Sequence, residues 1–99
     1  MPVTEIVKMF PKADSSGDLE KTLSTAIDLL IPHPDCHSVK AYRGIEDPNS
    51  FIVAVEWTSV EAHETWRASD ARTKWRGLLA PFQDKPNEVG HYVTFAERS

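Results

Sequence analysis

The segment that most constrains the fold is Phe51-Ile-Val-Ala-Val55, five consecutive apolar residues rich in β-branched side chains. A strand covered on one face alternates apolar and polar residues, whereas a strand covered on both faces is apolar throughout. The run therefore predicts a strand from Ser50 to Trp57 in the centre of a sheet. A second strand, His37 to Ile45, precedes it, and the turn Glu46-Asp47-Pro48-Asn49 joins the two in a hairpin.

Two further strands are predicted near the ends of the chain. Val3 to Phe10 is partly apolar on both faces, and Glu5 shares one face with apolar residues. The apolar residues on the same face as Glu5 are Val3, Val7 and Met9. Val89 to Ala96 alternates and is predicted as the last strand, after a loop from Gln83 to Glu88.

Helices fill the remaining segments. Apolar residues at helical spacing predict a helix from Asp18 to Ile31, which prolines end. Thr58-Ser-Val-Glu61 has the spacing of a capping box, and Ser69 or Asp70 caps a further helix that ends at Pro81. The order of elements predicts an α+β, ferredoxin-like βαββαβ domain with a four-stranded antiparallel sheet and helices on one face.

Length and charge limit the partners. A chain of 99 residues is expected to form a single domain, residues 1–99, and an apolar open sheet face favours a homodimer. The net charge of −4, without a basic stripe, excludes a nucleic-acid partner. The amino-terminal residues show neither a signal peptide nor a membrane span, so with its one cysteine, Cys36, the protein is expected in the cytoplasm without a membrane partner.

Two motifs carry a resemblance to a known family. Val55-Glu-Trp57-Thr-Ser-Val-Glu-Ala62 and Trp66-Arg-Ala-Ser69-Asp70 resemble the signature of the antibiotic biosynthesis monooxygenase family. The resemblance implies a dimeric α/β barrel in which each subunit holds its ligand between sheet and helices. It also implies one of several activities that are known in this family and its neighbours. These are oxygenation of polycyclic aromatic polyketides without metal or flavin, haem degradation, and cyclisation.

Haem degradation is disfavoured within that family. The haem-degrading members carry an iron-ligating histidine ten positions after the tryptophan that matches Trp66, and an asparagine on the first strand. In this sequence Arg76 occupies the position of that histidine, and the predicted first strand, Val3 to Phe10, contains no asparagine. Since a guanidinium cannot coordinate iron, proximal haem ligation is lost at that position. The sequence also has no phosphate-binding glycine loop and no dinucleotide fingerprint, so no cofactor is expected. The resemblance does place Trp66 beside the ligand.

Proton transfer has two candidate bases. His63 lies one helical turn before Trp66, and Glu56 is a carboxylate on an otherwise apolar strand, where it reaches solvent or needs a hydrogen-bond partner. With Trp66 they form the predicted catalytic set. His91 is interpreted as a core or interface histidine, and the segment from His33 to His37 lacks the ligand spacing of a metal site, so no metal is predicted.

An aromatic set is predicted to line a pocket for a planar substrate. Its members are Trp66, Tyr92, Tyr42, Trp75 and Phe82. For the last two, filling the core is the alternative. The leading hypothesis is a cofactor-independent monooxygenase acting on an aromatic or polyketide-like small molecule. The alternatives are a cyclase of the same superfamily and a non-catalytic, dimeric small-molecule-binding or stress-associated module.

Overall fold

The computed structural model describes all residues, Met1–Ser99, and contains one four-stranded antiparallel sheet with three helices on one face. Short 3-10 turns, Ile27–Leu29 and Ala80–Phe82, follow the first and third helices. The elements are β1 (Val3–Pro11), α1 (Ser16–Ala26), β2 (Cys36–Arg43), β3 (Phe51–Trp57), α2 (Val60–Arg67), α3 (Asp70–Leu79) and β4 (Gln83–Tyr92). None of the helices has the length and apolar character needed to cross a bilayer.

The strand order is β2-β3-β1-β4, so β3 and β1 are the central strands. This order, with the helices between β1 and β2 and between β3 and β4, confirms the predicted ferredoxin-like fold and the central position of the apolar segment. Alternate residues of β3 are almost inaccessible beneath the helices. They are Phe51, Val53, Val55 and Trp57, each no more than 2% exposed.

The prediction of the last strand was wrong in its bounds. β4 runs from Gln83 to Tyr92, so the expected loop is strand and residues 93–99 have no regular structure. The register explains the shift, because Tyr92 already pairs with Thr4 and β1 has almost no backbone left to pair beyond it. Pro86 is tolerated because β4 is an edge strand and its pairing with β1 is irregular between Lys8 and Phe10.

Serines cap both helices of the α2–α3 pair. The Ser59 hydroxyl accepts a hydrogen bond from the Ala62 backbone N–H at 3.1 Å, so the cap lies one residue after the predicted Thr58. Ser69, one of the two predicted alternatives, caps α3 by accepting from the Arg72 N–H at 3.3 Å. Each cap satisfies an amide that the first helical turn leaves without a partner.

The two faces of the sheet differ in composition. The face under the helices packs against them to form the core, in which Met9 of β1 and Leu19 of α1 are both 0% exposed. The open face carries Ile6, Ile52 and Ala54 at intermediate burial, together with polar and charged residues. The predicted apolar character of this face is therefore only partial.

Candidate functional site

A buried carboxylate lies under the helices at the centre of the sheet. Glu5 on β1 pairs with Val55 on β3 and with His91 on β4, and only 6% of Glu5 is exposed. A carboxylate taken out of water is stable only when hydrogen bonds replace its hydration. Its contacts should therefore be specific.

Both oxygens of Glu5 have partners. The indole N–H of Trp57 donates to Oε1 at 2.9 Å, and Nε2 of His63 lies 3.1 Å from Oε2. The other ring nitrogen of His63, Nδ1, lies 2.7 Å from Nε2 of His91. The result is a continuous chain from the buried carboxylate through one imidazole to a second, which we call the Glu5–His63–His91 relay.

The position of one proton in the relay follows from the donors and acceptors available. An ionised carboxylate only accepts hydrogen bonds, so Nε2 of His63 carries a hydrogen. The contact of Nδ1 with Nε2 of His91 then holds one further proton between the two rings. A positive charge on this imidazole pair is stabilised by the carboxylate behind it, since charge-assisted hydrogen bonds are the stronger ones.

Tryptophan rings fix the orientation of His63. Its ring stacks on Trp57, with centroids 5.3 Å apart and planes inclined by 25°, and lies 6.5 Å from the Trp66 ring at 27°. His63 is only 3% exposed. The imidazole therefore cannot turn away from its two polar partners without displacing a packed indole.

A cleft of about 570 Å³ opens between the sheet and the helices α2 and α3, a volume in the range of small-molecule sites. All three relay residues line it, as do Trp66 and Trp75. Those two indoles meet edge to face, with centroids 6.1 Å apart. The Trp66 indole N–H is buried and has no acceptor in the protein.

The cleft also has a cationic wall. Arg67, Arg72, Arg76 and Lys85 line it. Partial burial, together with the positive charges of Arg76 and Arg67, lowers the pKa of the Arg72 guanidinium. The arginines thus repel one another, a cost that a bound anion would offset.

The structure brings some of the predicted site residues together and separates others. His63, Trp66 and Trp75 meet in the cleft. Glu56 lies on the open face, where it accepts a hydrogen bond from the Thr4 hydroxyl at 2.7 Å. Thr4 is thus a hydrogen-bond partner of the kind considered for this carboxylate. Tyr92, 58% exposed, pairs with the same threonine on that face.

The two remaining aromatic candidates also lie outside the cleft. Tyr42 on β2 is 53% exposed. Phe82 packs against the hydrophobic core, in agreement with the alternative considered for it.

Sequence reasoning missed the burial of Glu5 and the contact of His91 with His63. Glu5 shares an apolar strand face with Val3, Val7 and Met9. A carboxylate on a mostly apolar strand is the same signal that led to the selection of Glu56 as a candidate base. The pairing of His91 with His63 joins residues 28 positions apart on a strand and a helix, so no local pattern reveals it.

The segment from His33 to His37 has other roles. His33 Nδ1 accepts from the Asp35 N–H at 3.1 Å, and His37 contacts the Thr58 hydroxyl at 2.8 Å. Burial, followed by the negative charge of Glu5, raises the pKa of the Cys36 thiol. No group of three or more His, Cys, Asp or Glu side chains is arranged to hold a metal ion, and the absence of a metal stays a prediction.

Comparison with known proteins gives a consistent result. The family model described as antibiotic biosynthesis monooxygenase matches residues 2–78. A crystal structure from Bordetella bronchiseptica, named for the same activity, superposes with a TM-score of 0.90 at 26% identity, covering 96% of this chain and 98% of its own. None of the curated proteins matches the sequence significantly.

Two more distant structures share the fold. Rv0793 from Mycobacterium tuberculosis is 20% identical with a TM-score of 0.82, and each chain is covered completely. SnoaB from Streptomyces nogalater, described as a cofactor-independent oxygenase, is 14% identical with a TM-score of 0.85, covering 97% of this chain and 95% of its own.

Proposed function

Because the chain belongs to the antibiotic biosynthesis monooxygenase family, we propose that it oxygenates a planar aromatic small molecule in the cleft without a cofactor. The observation that carries this proposal is the Glu5–His63–His91 relay, which ends in the cleft beside the aromatic walls. Family membership supports a monooxygenase-type role, and the relay supplies the proton acceptor that such chemistry needs.

In this proposal His91 takes the substrate proton. When Nε2–H of His91 donates to His63, the other nitrogen of His91, Nδ1, is free to accept a proton from a phenol or an activated CH₂ group. The new positive charge is shared with His63 and balanced by Glu5. His63 and Glu5 are thus positioning residues, and His91 replaces the predicted bases His63 and Glu56 as the group that meets the substrate.

The deprotonated substrate then reacts with dioxygen. An electron-rich carbanion or phenolate transfers an electron to O₂, and the two radicals combine to a peroxide at carbon. Loss of water leaves a ketone, so CH₂ plus O₂ becomes C=O plus H₂O, and the substrate itself supplies all the electrons. The buried indoles of Trp66 and Trp75 would hold the ring and keep water from the anion.

Oxygen uptake tests the proposal. We expect purified protein treated with a metal chelator to consume one O₂ per quinone formed from an anthrone or a hydroxynaphthalene, well above the rate without protein. Absence of turnover across a broad panel of such substrates would contradict the proposed function. Product formation without oxygen consumption would instead indicate a cyclase, because cyclisation uses the same proton transfer.

A non-catalytic binding module is the weaker candidate. A module of this kind whose cavity is filled by side chains does not account for the open cleft of about 570 Å³ between sheet and helices. A filled core would also have no need for a buried relay that leads to solvent at His91. The cleft and the relay together favour catalysis.

We also propose a homodimer formed through the open sheet face. Tyr42 and Tyr92 are more than half exposed there, around the partly buried Ile6, Ile52 and Ala54. A second copy would cover these side chains and complete an α/β barrel.

Sedimentation tests the dimer. At micromolar concentration we expect a species of twice the 11.1 kDa chain mass, which Ala54→Lys converts to monomer because it places a charge on the open face. Ser24→Lys, on the exposed side of α1, is the control and should leave the dimer intact. A wild-type monomer would contradict the assignment.

A further inference from the structure

Positive charge is concentrated in the cleft of an acidic protein. Four of the eleven lysines and arginines of the chain line it, against two of the fifteen acidic residues, Glu5 and Asp84. Since Glu5 is already bound by Trp57 and His63, its charge is matched within the relay. The cleft therefore attracts anions although the whole chain carries a net charge of −4.

The arginines of α3 lack counterions. Arg72 and Arg76 are one helical turn apart on α3, which places them side by side on the cleft wall. Neither forms a salt bridge, whereas Arg67 on α2 lies 3.6 Å from Glu64. Like charges at this spacing destabilise a helix, so the pair is unfavourable in the empty protein. Burial lowers the pKa of the Arg72 guanidinium, and the positive charges of Arg76 and Arg67 lower it further.

Resting on the proposed function, we infer that Arg72 and Arg76 bind an oxyanion on the substrate, and that the substrate is an aromatic ring bearing a carboxylate. Guanidinium groups match the two oxygens of a carboxylate in a planar, bidentate geometry. The indoles of Trp66 and Trp75 supply the complementary wall for the ring in the same cleft. The arginines would thus select the substrate and fix which of its atoms reaches His91.

Binding of a matched pair of probes tests this inference. 1-Hydroxy-2-naphthoate and 1-hydroxy-2-naphthamide have nearly the same shape, but only the first is an anion at neutral pH. By calorimetric titration at low salt we expect the acid to bind about tenfold or more tightly than the amide. Added salt should reduce this preference, because ions screen partly exposed charges.

A pair of double variants assigns the effect to α3. Arg72→Gln/Arg76→Gln should weaken binding of the acid by about tenfold or more and affect the amide much less. Lys12→Gln/Arg98→Gln removes the same charge outside the cleft and should keep the preference for the acid. The α3 variant should melt at or above the wild-type temperature, since it relieves repulsion, and this result separates lost binding from lost folding.

Three outcomes would overturn the inference: equal binding of acid and amide, tight binding of the acid by the α3 variant, or binding of neither probe. The proposed function fails separately. If wild-type protein oxygenates a neutral anthrone but binds acid and amide equally, the relay chemistry stands and the carboxylate assignment falls.

Discussion

Replacing Glu5 by alanine is expected to lower the free energy of unfolding by about 3–5 kcal/mol. The substitution leaves the indole N–H of Trp57 and Nε2 of His63 without acceptors in a site that is almost closed to water. It also removes the counterion of the imidazole pair. Because a domain of this size is stable by only about 5–15 kcal/mol, denaturant titration should resolve the loss readily.

Glu56 provides a matched control for this prediction. It is a glutamate on the neighbouring strand, with one hydrogen bond from Thr4 on the open face. At protein concentrations low enough to keep the chain monomeric, Glu56→Ala should cost about 1 kcal/mol or less. Glu5→Gln, which keeps an acceptor for Trp57, should fall between the two alanine variants. Equal losses for Glu5→Ala and Glu56→Ala would show that the buried contacts contribute no special stability.

A double-mutant cycle tests the pairing itself. The double variant Glu5→Ala/His63→Ala should lose less stability than the sum of the two single variants. Each single change leaves the other side chain buried without its partner, whereas the double change removes both. Additive losses would mean that the 3.1 Å contact between the two side chains does not couple them energetically.

His91→Ala is expected to reduce the rate of oxygenation by about 10²–10⁴-fold, the usual contribution of a positioned general base. The loss should fall on kcat, since His91 acts on the proton and the ring is held by Trp66 and Trp75. Stability should fall by only about 1 kcal/mol, the net contribution of the hydrogen bond to His63, because His91 itself is exposed on an edge strand. Oxygen uptake with an anthrone, measured beside a melting curve, checks both parts.

His37→Ala is the control for that variant. His37 is also an exposed histidine on an edge strand, but it contacts Thr58 rather than the cleft. Its turnover should match that of the wild type. Full activity in His91→Ala would remove His91 from the mechanism and return the role of base to another group in the cleft.

The fold was predictable because its signals are local. The apolar run in β3, the helical spacing in α1 and the serines before α2 and α3 each act within a few residues. The end of β4 was not predictable, because alternation continues to Phe95 and only the length of the partner strand β1 decides where pairing stops.

The candidate site was predictable in part. His63 and Trp66 were found because they share a helix with a family motif. Glu5 and Glu56 present the same pattern, a carboxylate on a mostly apolar strand, and only the position of the helices decides which of them is buried. The charge on α3 required knowing that its arginines face the cleft, which helical spacing alone does not establish.

The three tryptophans of this chain all belong to one cluster: the Trp57 and Trp66 rings lie 6.2 Å apart, and those of Trp66 and Trp75 lie 6.1 Å apart. The tryptophan fluorescence of the protein therefore originates beside the relay, whereas Tyr42 and Tyr92 lie outside the cleft. The Trp57 indole donates to Glu5 and stacks on His63, and the Trp66 ring lies over the same imidazole, so a ligand that changes these contacts is expected to change the emission. The chain thus carries a built-in optical reporter of its own cleft, with no label required.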